Sequence, residues 1–161
     1  MASNFKVFLA FTKQPKDEPV YQKQDGQRFS VCNTIKLNVN STYTVSVVIR
    51  PQRTLLRLQI QGENLGLNQV KPERDDDDSC KYQASWVTVG FEQSKSAERK
   101  ELPVVLEMSN GVYMKLALQC KFYPEEETQH CHWGQPLHNI EYECNVPDGC
   151  TYVDITSTKL L

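Results

Sequence analysis

Strict alternation of apolar and polar residues is the feature that most constrains this chain. Between Val112 and Phe122 every second residue is apolar, and residues such as Lys115 and Lys121 lie between them. A period of two places all of these apolar side chains on one face of a β-strand. The segment therefore predicts a long strand with one buried face, and no segment of the chain carries helical spacing over three turns. Alternation of the same kind predicts further strands at 5–11, 43–50 and 56–60.

Turn residues join these strands in a way that favours hairpins. Asn110-Gly111 lies between two strand candidates, and Asn-Gly is a strong hairpin signal because both central residues need a positive φ. Asp25-Gly26 predicts a second tight turn and Pro147-Asp148-Gly149 a third. Together with strand candidates at 82–91, 103–108, 140–144 and 152–155, this gives about nine short strands. We therefore predict an all-β fold, a single-domain antiparallel β-sandwich or flattened barrel that spans residues 1–161.

Charge and hydropathy exclude two broad classes of protein. Lys and Arg total 18 against 20 Asp and Glu, a formal net charge of −2, whereas a dedicated nucleic-acid binder needs a basic surface. The longest apolar run, at 7–11, is too short for a membrane span or for the core of a secretory signal. We therefore expect a cytosolic monomer that binds no nucleic acid and reaches a membrane only through a partner.

The residues that could carry chemistry do not form a recognisable catalytic or metal motif. His130-Cys131-His132, with Cys144 and Cys150, resembles part of a zinc site, but there is no Cys-x-x-Cys and adjacent residues of an extended chain point to opposite faces. Cys131 has a histidine on each side in the sequence, which raises the possibility of a nucleophilic thiol. Sequence neighbours do not form a catalytic pair by themselves, because the base must face the nucleophile at hydrogen-bond distance in the fold. No phosphate-binding or nucleophile glycine motif occurs. We predict reduced cysteines, no metal, no cofactor and no enzymatic activity.

Six short motifs, in a fixed order along the chain, resemble one family. They are Asp25-Gly26-Gln27-Arg28-Phe29, Asn33-Thr34-Ile35-Lys36-Leu37, the alternating segment from Tyr43 to Pro51, Lys121-Phe122-Tyr123, His130-Cys131-x-Trp133-Gly134-x-Pro136 and Ile140-Glu141-Tyr142-Glu143-Cys144. Together they resemble the cannabinoid receptor-interacting protein family. The resemblance implies a small non-enzymatic protein that binds the intracellular C-terminal tail of the type 1 cannabinoid receptor and dampens its signalling. It also implies a fold similar to Rho GDP-dissociation inhibitor.

Two ways of binding such a partner remain open. A disordered receptor tail can add as an extended strand to an exposed sheet edge, and Arg28 and Lys36 are the best exposed candidates for contact with an acidic tail. Alternatively, an acyl or prenyl chain of a lipidated peptide enters a cavity between the sheets, because a sandwich of this size can leave room for one apolar ligand. The inward positions that would line this cavity are Val47, Trp86, Leu116, Leu118, Phe122 and Trp133.

Overall fold

The described residues of this computed structural model are 3–24, 33–71, 74 and 77–161, and strands dominate them. The strands are β1 Ser3–Lys13, β2 Glu18–Gln24, β3 Asn33–Asn38, β4 Thr42–Arg50, β5 Leu55–Ile60, β6 Glu63–Leu65, β7 Leu67–Val70, β8 Cys80–Val87, β9 Lys100–Met108, β10 Val112–Tyr123, β11 Gln135–Leu137, β12 Ile140–Val146 and β13 Asp154–Leu160. A 3₁₀ turn at Ser109–Gly111 joins β9 to β10. Within the described ranges there is no α-helix, and none of their elements is a helix long and apolar enough to cross a membrane.

The strands form two faces of a nearly closed, barrel-shaped sheet. One face runs in the order β13-β12-β1-β4-β8-β7 and the other in the order β6-β5-β9-β10-β3-β2-β11. The β1–β2 hairpin connects the two faces, with Thr12 opposite Pro19. Neighbouring strands pair antiparallel apart from β3 and β10, which pair in parallel with Ile35 opposite Cys120. The predicted all-β, sandwich-like fold is confirmed.

One contiguous apolar cluster fills the space between the faces. The alternating residues of β10 from Val112 to Phe122 are all buried, as the pattern predicts. Trp86 occupies the centre of an aromatic group, with its ring centroid 5.8 Å from those of Phe11, Tyr43 and Phe91. Aromatic side chains bury large areas and favour such edge-on and tilted arrangements. This end of the core is therefore filled by contacting aromatic side chains.

The turns follow the predicted chemistry where the structure describes them. Asn110 and Gly111 have φ values of 65° and 69°, so both central residues of the hairpin adopt the left-handed conformation that the Asn-Gly pair predicts. Gly149 has φ 74°, and the Cys150 N–H donates to the Pro147 carbonyl at 3.1 Å, which closes the third predicted turn. Asp25-Gly26 lies outside the described residues.

Several strands begin or end at other residues than expected, and two of these differences have a physical reason. The strand predicted at 82–91 ends at Val87, because the Thr88 hydroxyl donates to the Asn38 carbonyl at 2.7 Å and caps the ladder there. The strand predicted at 152–155 begins at Asp154 and continues to Leu160. Its later residues are polar, apart from Leu160, so alternation alone could not extend it.

Candidate functional site

The segment between β10 and β11, residues 124–134 and here called the covering loop, lies on the outer face of the sheet beside β3. Asn38, at the end of β3, is fully buried and holds this loop in place. Its side-chain amide donates to the carbonyls of Pro124 and Glu127, each at 2.8 Å. Its side-chain oxygen accepts from Lys13 Nζ at 2.8 Å and from Cys131 Sγ at 3.2 Å. One amide side chain therefore joins the covering loop to β1 and β3.

Lys36 is a second anchor of the covering loop. Its Nζ donates to the carbonyl oxygens of His130 at 2.8 Å and Trp133 at 2.5 Å. The residue is only 5% exposed, so the expectation that Lys36 is an exposed cation was wrong. The reason is that the loop folds over the outer face of β3, which strand alternation alone cannot show. Burial lowers the pKa of Lys36, because desolvation disfavours the charged ammonium.

Gly134 lets the covering loop approach β2 closely. It has φ 115°, and a Cβ at this position would lie 2.5 Å from the carbonyl oxygen of Gln22. No other residue fits that contact without displacing the backbone. The chain then enters β11, where Pro136 lies opposite Tyr21 of β2. The Trp-Gly-x-Pro motif is thus explained by the path of the loop.

A pocket of about 430 Å³ opens where the covering loop meets β2, β3 and β10. We call it the basic–aromatic pocket, and its lining is Lys23, Lys36, Lys121, Tyr123, His130, Trp133 and Gly134. Lys36 Nζ lies 5.9 Å from the Tyr123 ring centroid and 6.0 Å from that of Trp133. Lys121 Nζ lies 5.3 Å from the Tyr123 centroid. These are cation–π distances, and the described lining contains no carboxylate.

Trp133 is 68% exposed at the mouth of this pocket. The prediction that Trp133 points inward was therefore wrong, because it lies in the covering loop outside the sheet rather than on a strand. Arg28, the other residue predicted to contact a tail, lies outside the described residues. Sequence reasoning did not single out Lys121 and Tyr123 as site residues, although both belong to a motif that carried the family resemblance.

A second pocket, of about 420 Å³, lies between β10 and the β12–β13 pair. We call it the apolar pocket, and its lining is Asn33, Ile35, Lys115, Leu116, Ala117, Leu118, Gln119, Ile140, Tyr142, Ile155, Thr158 and Leu160. Its volume falls in the usual range of small-molecule sites. Leu116 and Leu118, two of the predicted cavity residues, line it, each 7% exposed. Val47, Trp86 and Phe122 are buried in the packed core and do not.

Cys131 and Cys144, two thiols of the zinc and nucleophile alternatives, are both buried. Burial raises the pKa of Cys131 to about 11 and that of Cys144 to about 12. A protonated thiol is neither a good nucleophile nor a metal ligand at neutral pH. Among the described residues, no group of three or more His, Cys, Asp or Glu side chains is close enough to hold a metal ion. The geometry therefore gives the zinc alternative no support.

The outer edge of β13 is the longest strand edge that the described sheet leaves open. β13 has seven residues and pairs with β12 alone, whereas the strands at the other ends of the two faces have three or four. Its Ile155, Thr158 and Leu160 also line the apolar pocket. The open edge and this pocket are therefore adjacent.

An all-β scaffold with a buried apolar core, an open strand edge and pockets on its surface places the chain in the class of sandwich-like β proteins. A family model described as CB1 cannabinoid receptor-interacting protein 1 matches residues 1–159. Relatives of that name from Homo sapiens and Bos taurus are each 34% identical over 145 residues, which cover 86% of this chain and 85% of theirs. The relative from Mus musculus is 33% identical over the same length.

The chain therefore belongs to the CB1 cannabinoid receptor-interacting protein 1 family. The family resemblance carried by the sequence motifs is confirmed. The family is named for interaction with a receptor, not for a reaction.

Proposed function

We propose that this chain is a non-enzymatic, cytoplasmic regulator that binds the intracellular C-terminal tail of a G-protein-coupled receptor and dampens its signalling. The type 1 cannabinoid receptor is the partner that family membership favours. The observation that carries the proposal is the family match over residues 1–159. A monomer formed by one domain, residues 1–161, is the form in which the chain would act.

Addition of the tail as a strand beside β13 is the binding mode that the geometry supports best. A strand edge presents backbone N–H and C=O groups that a disordered segment can satisfy by forming a ladder. β13 offers seven residues, from Asp154 to Leu160, which is enough for such a ladder. Ordering the tail opposes the gain from these hydrogen bonds, so the affinity is expected to be moderate.

The test is a titration of ¹⁵N-labelled protein with a receptor-tail peptide, followed by amide chemical shifts. Strand addition predicts that the largest shifts lie along β13 and its neighbour β12. Two peptides N-methylated at alternate positions provide a matched control, since only alternate N–H groups of an added strand face β13. One of the two should lose binding and the other should retain it. Equal binding by both, or shifts elsewhere, would contradict this mode.

A lipid-chain carrier is the second candidate, and the apolar pocket is the observation that favours it. Because Ile155 and Leu160 belong both to β13 and to the pocket lining, a peptide added at β13 would hold its acyl or prenyl group beside the pocket. Burial of each additional CH₂ would contribute about 0.8 kcal/mol.

A series of acylated tail peptides tests this candidate. Each two-carbon extension should tighten binding about tenfold until the pocket is full. Leu118→Trp should remove the acyl contribution by filling the pocket, while Leu56→Trp, the same substitution at an exposed residue outside the pocket, should leave it intact. An affinity that does not depend on the length of the acyl chain would exclude the lipid-carrier function. Strand addition at β13 would then be tested with the unmodified peptide alone.

A further inference from the structure

We propose that the basic–aromatic pocket is a recognition site for an acidic peptide segment, with a Glu or Asp side chain between Lys36 and Lys121 and the following apolar residue on Trp133. This inference goes beyond the proposed function, because it concerns a different face from β13 and holds for any protein that carries such a segment.

The positive charge of this pocket is built into three adjacent strands. Lys36 and Lys121 are directly opposite each other in the parallel β3–β10 pair, so both side chains leave the same face of the sheet. Lys23 of β2 adds a third ammonium to the lining. A carboxylate placed between two ammonium groups accepts charge-assisted hydrogen bonds, which are stronger than neutral ones.

Lys36 is fixed in position rather than mobile. Two of its ammonium protons go to the His130 and Trp133 carbonyls of the covering loop, so its side chain is already ordered. Ordering a free lysine side chain on binding costs conformational entropy. Lys36 has already lost that entropy on folding, so ligand binding does not have to order it. An ordered cation with its pKa lowered by burial also gains from a neighbouring carboxylate, which favours the charged ammonium.

Trp133 supplies the apolar part of the site. It is 68% exposed, and a large exposed aromatic beside charged groups is typical of an interaction surface. Its position is determined by Gly134 on one side and by the hydrogen bond from Lys36 to its carbonyl on the other. The backbone of Trp133 is therefore held in place, and its ring lies 6.0 Å from Lys36 Nζ.

A peptide fits this pocket better than an anionic membrane surface does. Lys36 is only 5% exposed but lines the pocket, so a side chain that enters the pocket can contact it, whereas a flat headgroup layer cannot. Glu125 and Glu126, in the same loop, are exposed but do not line the pocket. They oppose an anionic layer spread over the whole loop, whereas a peptide that places its carboxylate inside the pocket keeps that charge among the lysines.

The experiment is a ¹⁵N titration of the full chain with acetyl-Gly-Glu-Leu-Glu-Gly-amide and with its Gln-for-Glu counterpart. The chain has two tryptophans, so the indole N–H of Trp133 reports on the pocket and that of buried Trp86 serves as an internal reference. We expect the Trp133 signal to move with the acidic peptide, with an affinity about tenfold higher than for the Gln peptide. Raising the salt from about 0.05 M to about 0.5 M should weaken binding.

Matched variants identify the residues responsible. Lys121→Gln should weaken binding of the acidic peptide about threefold or more, and Trp133→Ala should do the same. Both residues lie on the surface side of the sheet, so folding can be verified from the dispersion of the spectrum. Lys16→Gln removes the same charge at an exposed residue outside both pockets and should leave the affinity unchanged.

Three outcomes would overturn the proposal. The first is equal binding of the two peptides, and the second is no movement of the Trp133 signal at peptide concentrations on the order of 1 mM. The third is a response of this face only to vesicles that contain phosphatidylserine, which would assign it to a membrane. The probe contains no receptor sequence, so none of these outcomes bears on the strand-addition test at β13.

Discussion

Asn38 shows how a single buried side chain can determine where a functional surface lies. All of its side-chain hydrogen-bonding groups are used: two donor contacts to the covering loop, and two acceptor contacts from Lys13 and Cys131. Its backbone N–H donates to the Tyr43 hydroxyl at 2.8 Å. A buried amide is tolerated only when it is satisfied in this way, because an unpaired buried polar group is costly.

We predict that Asn38→Ala lowers the free energy of unfolding by about 2–4 kcal/mol, since it leaves two loop carbonyls and a lysine without their partner. The covering loop should also lose protection from amide hydrogen exchange. Chemical denaturation and exchange rates measure these two effects. Asn64→Ala, which removes one exposed hydrogen bond to Gln59, is the control and should cost less than about 1 kcal/mol. Equal losses in the two variants would contradict the assigned role of Asn38.

At the scale of residues, sequence reasoning succeeds along most strands and fails where a bulge or a loop decides. It correctly predicts the burial of Val47, Trp86, Leu116, Leu118 and Phe122, because each follows the period of its strand. Leu56, which the alternation at 56–60 places on the buried face, is 53% exposed because the pairing register shifts between Leu55 and Arg57. Sequence reasoning also fails for Lys36, which was expected to be exposed and is buried, and for Trp133, which was expected to point inward and is exposed. Their burial and exposure depend on where a loop about ten residues long settles on the sheet, which no local pattern specifies.

The β9–β10 hairpin is the clearest local unit of the fold. Its two strands pair from Val112 opposite Met108 to Cys120 opposite Lys100, and its turn is set by Asn110-Gly111. A hairpin of this length places Val104, Leu106 and Met108 on the core face together with the alternating residues of β10.

We predict that Gly111→Ala destabilises the protein by about 1–2 kcal/mol, because an L-residue is strained at φ 69°. Nothing lies within 4 Å of an added Cβ there, so the cost is conformational and not steric crowding. Asn110→Gly is the matched control and should be close to neutral, since glycine adopts the left-handed region readily. Thermal denaturation of the two variants measures the difference. A neutral Gly111→Ala would mean that the turn changes type at no cost.

Element by element, the long strands were predictable and the short ones were not. β6 and β11 have three residues each and β7 has four, too few for a period to be recognised. The parallel pairing of β3 with β10 joins residues 85 positions apart, such as Ile35 and Cys120, and alternation carries no information about which strands become neighbours. The open edge at β13, and hence the proposed tail site, could not be placed without the topology.

On the scale of the whole molecule, a single apolar cluster connects both faces of the sheet. It includes Phe5 of β1, Ile60 of β5, Trp86 of β8 and Val146 of β12, which come from distant parts of the chain. A core shared in this way leaves no group of strands with a hydrophobic interior of its own.

We predict that the chain unfolds in one cooperative transition, as a single domain does. Trp133→Phe leaves Trp86 as the sole tryptophan, so its fluorescence follows the core while far-UV circular dichroism follows the strands. The two denaturation curves should coincide. Separate midpoints would show that the sheet contains more than one folding unit.

The place of β1 in the sheet has a consequence for synthesis on the ribosome. β1 lies between β4 and β12, so its first neighbour is complete at Arg50 and its second begins only at Ile140. At about 5–20 residues per second, roughly 5 to 20 s separate the emergence of these two partners. During that interval the nascent chain presents the unpaired side of β1, an edge at which other chains can associate until β12 covers it.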